Sequence, residues 1–192
     1  MTAQIVAASP RRNARIAGAF YLLTFLTGLP ALFIHSSLGV ALGLIAGVCY
    51  IAVTLLFYYI FKPVNRTLSF LAALVSFAGC AIGPVTAGFH LTSRINPLVF
   101  FGFYCLLIGY LIVRSTFLPR TLGALMGLAG LGWLSFFSAS VASRLHPYNL
   151  VPGLIGEGAL TVWLLAVGLN DQRWKEQAMH VKPANSLLTP IS

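Results

Sequence analysis

The chain has 192 residues, 58% of them hydrophobic and 8% charged, with a formal net charge of +9 and a mean hydropathy of +0.90. That balance excludes an ordinary soluble domain. The basic residues are scattered between apolar runs instead of gathering on one stripe, which excludes a nucleic-acid-binding surface.

No lysine, arginine, aspartate or glutamate occurs from Ile16 to Phe61, from Thr67 to Ser93 or from Thr121 to Ser143. As one helix the first run would reach about 69 Å, far more than one hydrocarbon core, so it must fold into two. Residues 1–13 form a polar, basic arm. Arg11-Arg12 is only a faint twin-arginine signal and no clear cleavage site follows, so the first helix is expected to stay as an anchor. Helix 1 is expected over about Ala14–Ile34, with a kink at Gly28-Leu29-Pro30. A tight turn at His35-Ser36-Ser37 leads to helix 2, about Leu38–Phe61. Gly39, Gly43 and Gly47 share one face of helix 2 and predict close packing with a neighbour.

Lys62–Arg66 is a short basic loop, and helix 3 follows over about Thr67–Phe89 with a bend at Gly83-Pro84. A polar turn with His90 and Arg94 precedes helix 4, about Pro97–Phe117, and Pro119-Arg120 opens helix 5, about Thr121–Ala142. Ser143–Asn149 is a loop, Leu150–Leu169 is helix 6, and 170–192 is a polar tail. Trp174 and Met179 suit that tail to the membrane surface, and disorder is expected after Pro183. The expected fold is therefore all-α: a polytopic membrane protein with six transmembrane helices in a domain spanning 14–169.

Orientation follows from charge. With the N-terminus in the cytoplasm, Arg11, Arg12, Arg15, Lys62, Arg66, Arg114, Arg120, Arg173, Lys175 and Lys182 lie inside, against Arg94 and Arg144 outside. The positive-inside rule then puts both termini in the cytoplasm. Tyr58, Tyr59, Trp174 and Tyr148 fall where interfacial aromatics belong.

Of three acidic residues, Asp171 and Glu176 lie in the tail and Glu157 alone sits inside an apolar run. An ionisable group in a membrane helix is costly, and function is its default reading. Glu157 and Thr161, four apart, share a helix face. His35, His90, Arg94, Arg144 and His146 map to the same outer leaflet, with Thr86, Ser138 and Ser140 close in depth. One reading is an outward-facing cavity in which Glu157 binds a cation or carries a proton. The other is that Glu157 pins the bundle by pairing with a loop arginine. The histidines show no HxxxH or HExxH spacing, so no metal ligand set is assigned. No GxSxG elbow supports a serine hydrolase, and Gly153-Leu-Ile-Gly156-Glu-Gly158 is not a dinucleotide fingerprint. Cys49, Cys80 and Cys105 are odd in number, lie inside apolar runs and form no CxxC pair; they read as small hydrophobes. No cofactor is identified.

Four stretches carry a resemblance: ARIAGAFYLLTFLTG from Ala14, KPVNRTLSFLAAL from Lys62, FLPRTLGALMGL from Phe117, and PGLIGEGALTVWLLAVG from Pro152. Together they resemble the bacterial membrane family "domain of unknown function 4386", although the first outer loop here is much shorter than is usual for it. The resemblance implies a multi-pass protein of the bacterial inner membrane with a PG-x-x-GE element at Glu157, and supplies no activity. Three functions stay open: a small carrier or ion- or proton-coupled transporter using Glu157, a membrane-embedded enzyme acting on a lipophilic substrate, or a non-catalytic membrane partner docking through helix 2. The expected partners are the lipid bilayer, a small solute or ion and a second copy of the chain (homo-oligomer), with no nucleic acid.

Overall fold

The computed structural model describes residues 9–34, 36–88 and 96–180. Their α-helices are α1 (Pro10–Phe33), α2 (Ser37–Phe61), α3 (Arg66–Gly88), α4 (Leu98–Arg114), α5 (Arg120–Leu134), α6 (Ala139–Leu145), α7 (Val151–Ala166) and α8 (Asp171–His180). No strand occurs among the described residues, and the protein is all-α. Pro10–Phe33, Ser37–Phe61, Arg120–Phe137 and Tyr148–Ala166 are each long and apolar enough to cross a membrane. Arg66–Ile82 and Leu98–Arg114 are shorter apolar helices. Both α1 and α3 continue through the prolines expected to bend them, Pro30 and Pro84.

Two elements depart from expectation. The fifth helix does not run on to Ala142: it ends at Leu134, passes through a 3-10 turn at Ser135–Phe137, and restarts as the short α6. Serine hydroxyls explain the break, because they compete for backbone partners. Ser135 Oγ donates to Gly132 O at 2.7 Å, and Ser138 and Ser140 bond each other at 2.9 Å instead of extending the helix. The tail, in turn, begins with a helix, α8.

Six of the helices close into a ring: α1 packs on α2, α2 on α3, α3 on α4, α4 on α5, α5 on α7 and α7 back on α1. The outward faces are apolar, with Val48 68% exposed and Leu26 62% exposed. Thr54, Ser76, Glu157 and Thr161 are buried. Greasy outside and polar within is the arrangement a hydrocarbon solvent selects.

Glycine sets how closely the ring draws together. A Cβ on Gly109 would stand 2.8 Å from Gly123 O, and one on Gly130 would stand 2.8 Å from Gly102 O. These two pairs bring the backbones of α4 and α5 into direct contact, as small residues do between membrane helices. The stripe on α2 behaves differently. Gly39 lies against Ile34 O, Gly43 makes only an ordinary contact with Ala31 at 3.8 Å, and Gly47 meets nothing within 4 Å.

At one end of the ring, α8 acts as a clasp on helix ends whose backbone groups would otherwise lack partners. Asp171 Oδ1 accepts from the Arg11 N–H at 2.7 Å, at the start of α1. Trp174 Nε1 donates to Ile60 O at 2.8 Å, at the end of α2. Gln177 Oε1 accepts from the Thr116 N–H at 3.1 Å, just past α4. Arg11 and Arg15 donate to Val167 O and Ala166 O, at the end of α7.

The glycine contacts predict that Gly123→Leu, which forces α4 and α5 apart, costs about 1–3 kcal/mol and lowers the melting temperature in detergent. Gly47→Ala, with its Cβ in open space, leaves that temperature unchanged or slightly higher, since alanine is the better helix former. Equal losses in the two variants contradict the packing described.

Candidate functional site

The site is built on the start of α7. A 3-10 turn at Tyr148–Leu150 feeds the helix, and Pro152 occupies its first turn, where a missing N–H costs nothing. Glu157 then sits about 9 Å along the helix axis and is 5% exposed. Two glycines prepare its surroundings. A Cβ on Gly153 would lie 2.5 Å from the Trp133 indole, and one on Gly156 would run into Leu125 O of α5. The bare backbone at Gly153 lets the Trp133 ring lie against α7, one turn before the carboxyl, and that at Gly156 lets α5 approach at Leu125 and Ala129. The PG-x-x-GE element is therefore a seat for Trp133 followed by the acid that its N–H reaches.

Three side chains from three other helices converge on that acid. Trp133 Nε1 of α5 donates to Oε1, as does Cys105 Sγ of α4 at 3.3 Å. Tyr21 Oη of α1 donates to Oε2 at 2.7 Å. All three are buried, Tyr21 and Cys105 completely. Glu157 forms no ion pair with any lysine or arginine among the described residues; its bonds are to neutral donors.

The polar cluster extends across the middle of the ring. The Tyr21 ring packs against Tyr50 of α2, with centroids 5.6 Å apart, and Tyr50 against Tyr104 of α4 at the same spacing. The Tyr50 and Tyr104 hydroxyls are buried and have no hydrogen-bond partner among the described residues. Beyond them Thr54 Oγ1 of α2 and Ser76 Oγ of α3 are bonded at 2.6 Å. Each of the six ring helices thus contributes a polar side chain to the centre.

The structure distributes the residues predicted from sequence widely. Thr161 is buried, but its hydroxyl donates to the backbone oxygen of Glu157 at 2.8 Å and leaves the carboxyl to others. Arg144 and His146 are exposed on and just after α6, away from the carboxyl. Ser138 and Ser140 bond each other in that same segment. His35, His90, Arg94 and the Thr86 side chain lie outside the described residues. One of the two readings of Glu157 places it in an open cavity; here the residue is 5% exposed. Surface clefts of about 620 Å³, beside Arg11 and Asn170, and about 480 Å³, between α5 and α7, do not include it. Tyr21, Trp133 and Cys105 were not anticipated as its partners. Tyr21 and Trp133 are polar-tipped aromatics in otherwise apolar runs, a signal that was present. Cys105 gave none.

Residues 85–168 match the model of the family described as "Domain of unknown function (DUF4386)". The resemblance carried by the sequence motifs holds over that segment, which takes in α4, α5 and the whole Glu157 element. The chain is also similar to an "Uncharacterized protein" of Archaeoglobus fulgidus, 29% identical over 146 residues that cover 70% of this chain and 85% of the relative. No solved structure matches.

The geometry predicts a split between two substitutions. Glu157→Gln keeps an acceptor for Trp133 and Cys105, and Tyr21 can turn its hydroxyl to accept from the new amide. Glu157→Ala strands the Trp133 N–H and opens a gap. It should be less stable than Glu157→Gln by about 1–3 kcal/mol, read as a lower melting temperature in detergent. Equal stability of the two variants contradicts the hydrogen bonding described.

Proposed function

We propose that the protein is a small ion- or proton-coupled carrier of the bacterial inner membrane, crossing it six times with both termini in the cytoplasm and using Glu157 as its titrating or ion-binding group. The observation that carries this reading is a buried acid with only neutral donors around it among the described residues. Desolvating a carboxylate is expensive, and neutral hydrogen bonds offset that only in part. A bundle that merely needed an acceptor for three donors would be served by glutamine at lower cost. The carboxyl also bonds to α1, α4 and α5 at once, so any change in its charge is felt by three helices together. Such coupling between a charge and helix packing is what a carrier uses to change conformation. The closed surroundings of Glu157 suit the occluded form of such a cycle.

The six-span topology draws support from the clasp. It gathers the start of α1 with the ends of α2, α4 and α7 at one end of the ring. Basic residues crowd the same end, as the positive-inside rule asks of a cytoplasmic face.

A second reading, in which Glu157 only pins the bundle, is favoured by its burial and by the bonds made to both its oxygens. One variant separates the two. In proteoliposomes loaded with pH- and sodium-sensitive dyes, Glu157→Gln should stay folded and reduce ion movement under an imposed membrane potential to that of empty vesicles. Movement equal to that of the unmodified protein makes the residue a pin. Reporter fusions at the two termini should both report cytoplasm, and reports from opposite faces would remove the six-span topology.

A further inference from the structure

We infer that the species taken up and released at Glu157 is a proton, and that the Tyr50 and Tyr104 hydroxyls pass it between Tyr21 and the Thr54–Ser76 pair. The inference deepens the carrier reading and rests on it.

The polarity of the shell selects a proton. Every side chain bonded to the carboxyl presents a hydrogen to it. The Trp133 N–H has no lone pair to offer in any orientation, and with the Cys105 thiol it closes Oε1 to a cation. A hard metal cation needs a shell of oxygen acceptors. The side-chain oxygen bonded to the carboxyl is the Tyr21 hydroxyl, and among the described residues no group of three His, Cys, Asp or Glu comes together. A proton needs no such shell. It needs one lone pair on Oε2 and a neighbour able to exchange it.

A pair of buried hydroxyls without partners among the described residues gives that proton a path. A buried tyrosine usually finds a hydrogen-bond partner, yet Tyr50 and Tyr104, 6% and 1% exposed, both lack one. They stand in order across the ring: the Tyr50 ring lies 5.6 Å from that of Tyr21, and the Tyr104 ring 5.6 Å from that of Tyr50. The Tyr104 hydroxyl comes beside that of Thr54. Thr54 Oγ1 gives its own proton to Tyr50 O at 2.9 Å, so at its 2.6 Å contact with Ser76 it is the acceptor. The rings thus stand in sequence, and the two middle hydroxyls are uncommitted and able to turn toward either neighbour.

In the transfer, the O–H bond at Glu157 Oε2 breaks as one forms at Tyr21 Oη, and Tyr21 yields its own proton to Tyr50. Tyr50 and Tyr104 repeat the exchange by rotating about their phenol C–O bonds. Thr54 takes the proton of Tyr104 as its own O–H turns from Tyr50 O to Ser76, and Ser76 turns its O–H outward and yields that proton to water; every hydroxyl gains one proton and loses one, and Glu157 is left as carboxylate. The other titratable groups facing this row are the thiols of Cys105 and, near Tyr104, Cys80, both on helices already named. From α5 comes Trp133, which does not titrate.

The test follows the carboxyl directly, in the full chain in liposomes, by time-resolved infrared difference spectroscopy after a pH jump. The carboxylic C=O band that Glu157→Gln lacks belongs to Glu157. In the Tyr50→Phe/Tyr104→Phe double variant that band should reach the same end point at least about tenfold more slowly, within the range positioned proton donors contribute. Tyr58→Phe, outside the row, should relax at the unmodified rate. If the double variant fails to fold, each single variant should show the slowing, and unmodified rates in both overturn the relay. Adding sodium chloride at fixed pH should leave the band unchanged; loss of the band on adding sodium overturns the proton assignment. Sodium movement that depends on Glu157, with no relaxation of its band, overturns this inference and leaves the carrier. Relaxation in a protein that moves no ion keeps the proton site and removes the carrier.

Discussion

One carboxyl, bonded by a tyrosine, a tryptophan and a cysteine from three different helices, organises the interior of this protein. In a bilayer the apolar faces of helices gain little by leaving lipid for each other, so association rests on packing and on polar contacts. Glu157 supplies the most demanding of those contacts. It can be buried only where donors converge, and Tyr21, Trp133 and Cys105 converge only if α1, α4, α5 and α7 stand in fixed register. Meeting the needs of one acid therefore specifies much of the bundle.

The glycines belong to the same requirement. Gly102, Gly109, Gly123 and Gly130 bring the backbones of α4 and α5 together, while Gly153 makes room for Trp133 on α7 and Gly156 lets α7 meet the α5 backbone at Leu125. Without that close approach the indole would not reach the carboxyl. On the far side of the centre the Thr54–Ser76 bond ties α2 to α3. The clasp made by α8 does for the helix ends what Glu157 does for the middle: it gives partners to groups that would otherwise be left without them. Bonds at the clasp are exposed, apart from the part-buried bond of Trp174 to Ile60 O, those at the centre are dry, and the two therefore differ in how much each is worth.

How far this was legible in the sequence depends on which level is asked. Charge-free runs set out the helices, because lipid forbids charge and demands helix over such lengths. Glu157 stood out since no other acid lies in an apolar run. Its partners did not, because tyrosine, tryptophan and cysteine in a membrane helix are equally well explained as interfacial anchors or filler, and only the ring order brings Tyr21 and Trp133 to one point. Arg144 and His146 were grouped with Glu157 by depth alone. Depth says nothing about which way a residue faces, and both are exposed on the α6 segment. That segment itself was hidden by hydropathy, since Ser135–Ala142 is uncharged and reads as more helix until its hydroxyls take backbone partners.

Everything above depends on the indole of Trp133 touching the carboxyl of Glu157 within the membrane. The chain has three tryptophans and, besides Glu157, one further glutamate, Glu176 in the tail. Solid-state magnetic resonance on protein in bilayers, labelled with nitrogen-15 at the indoles and carbon-13 at the glutamate carboxyls, reads that contact as a dipolar coupling. The account predicts a strong coupling from one indole to one carboxyl, abolished by Trp133→Phe and by Glu157→Gln. Absence of that coupling in the unmodified protein, or its persistence in Trp133→Phe, would contradict it.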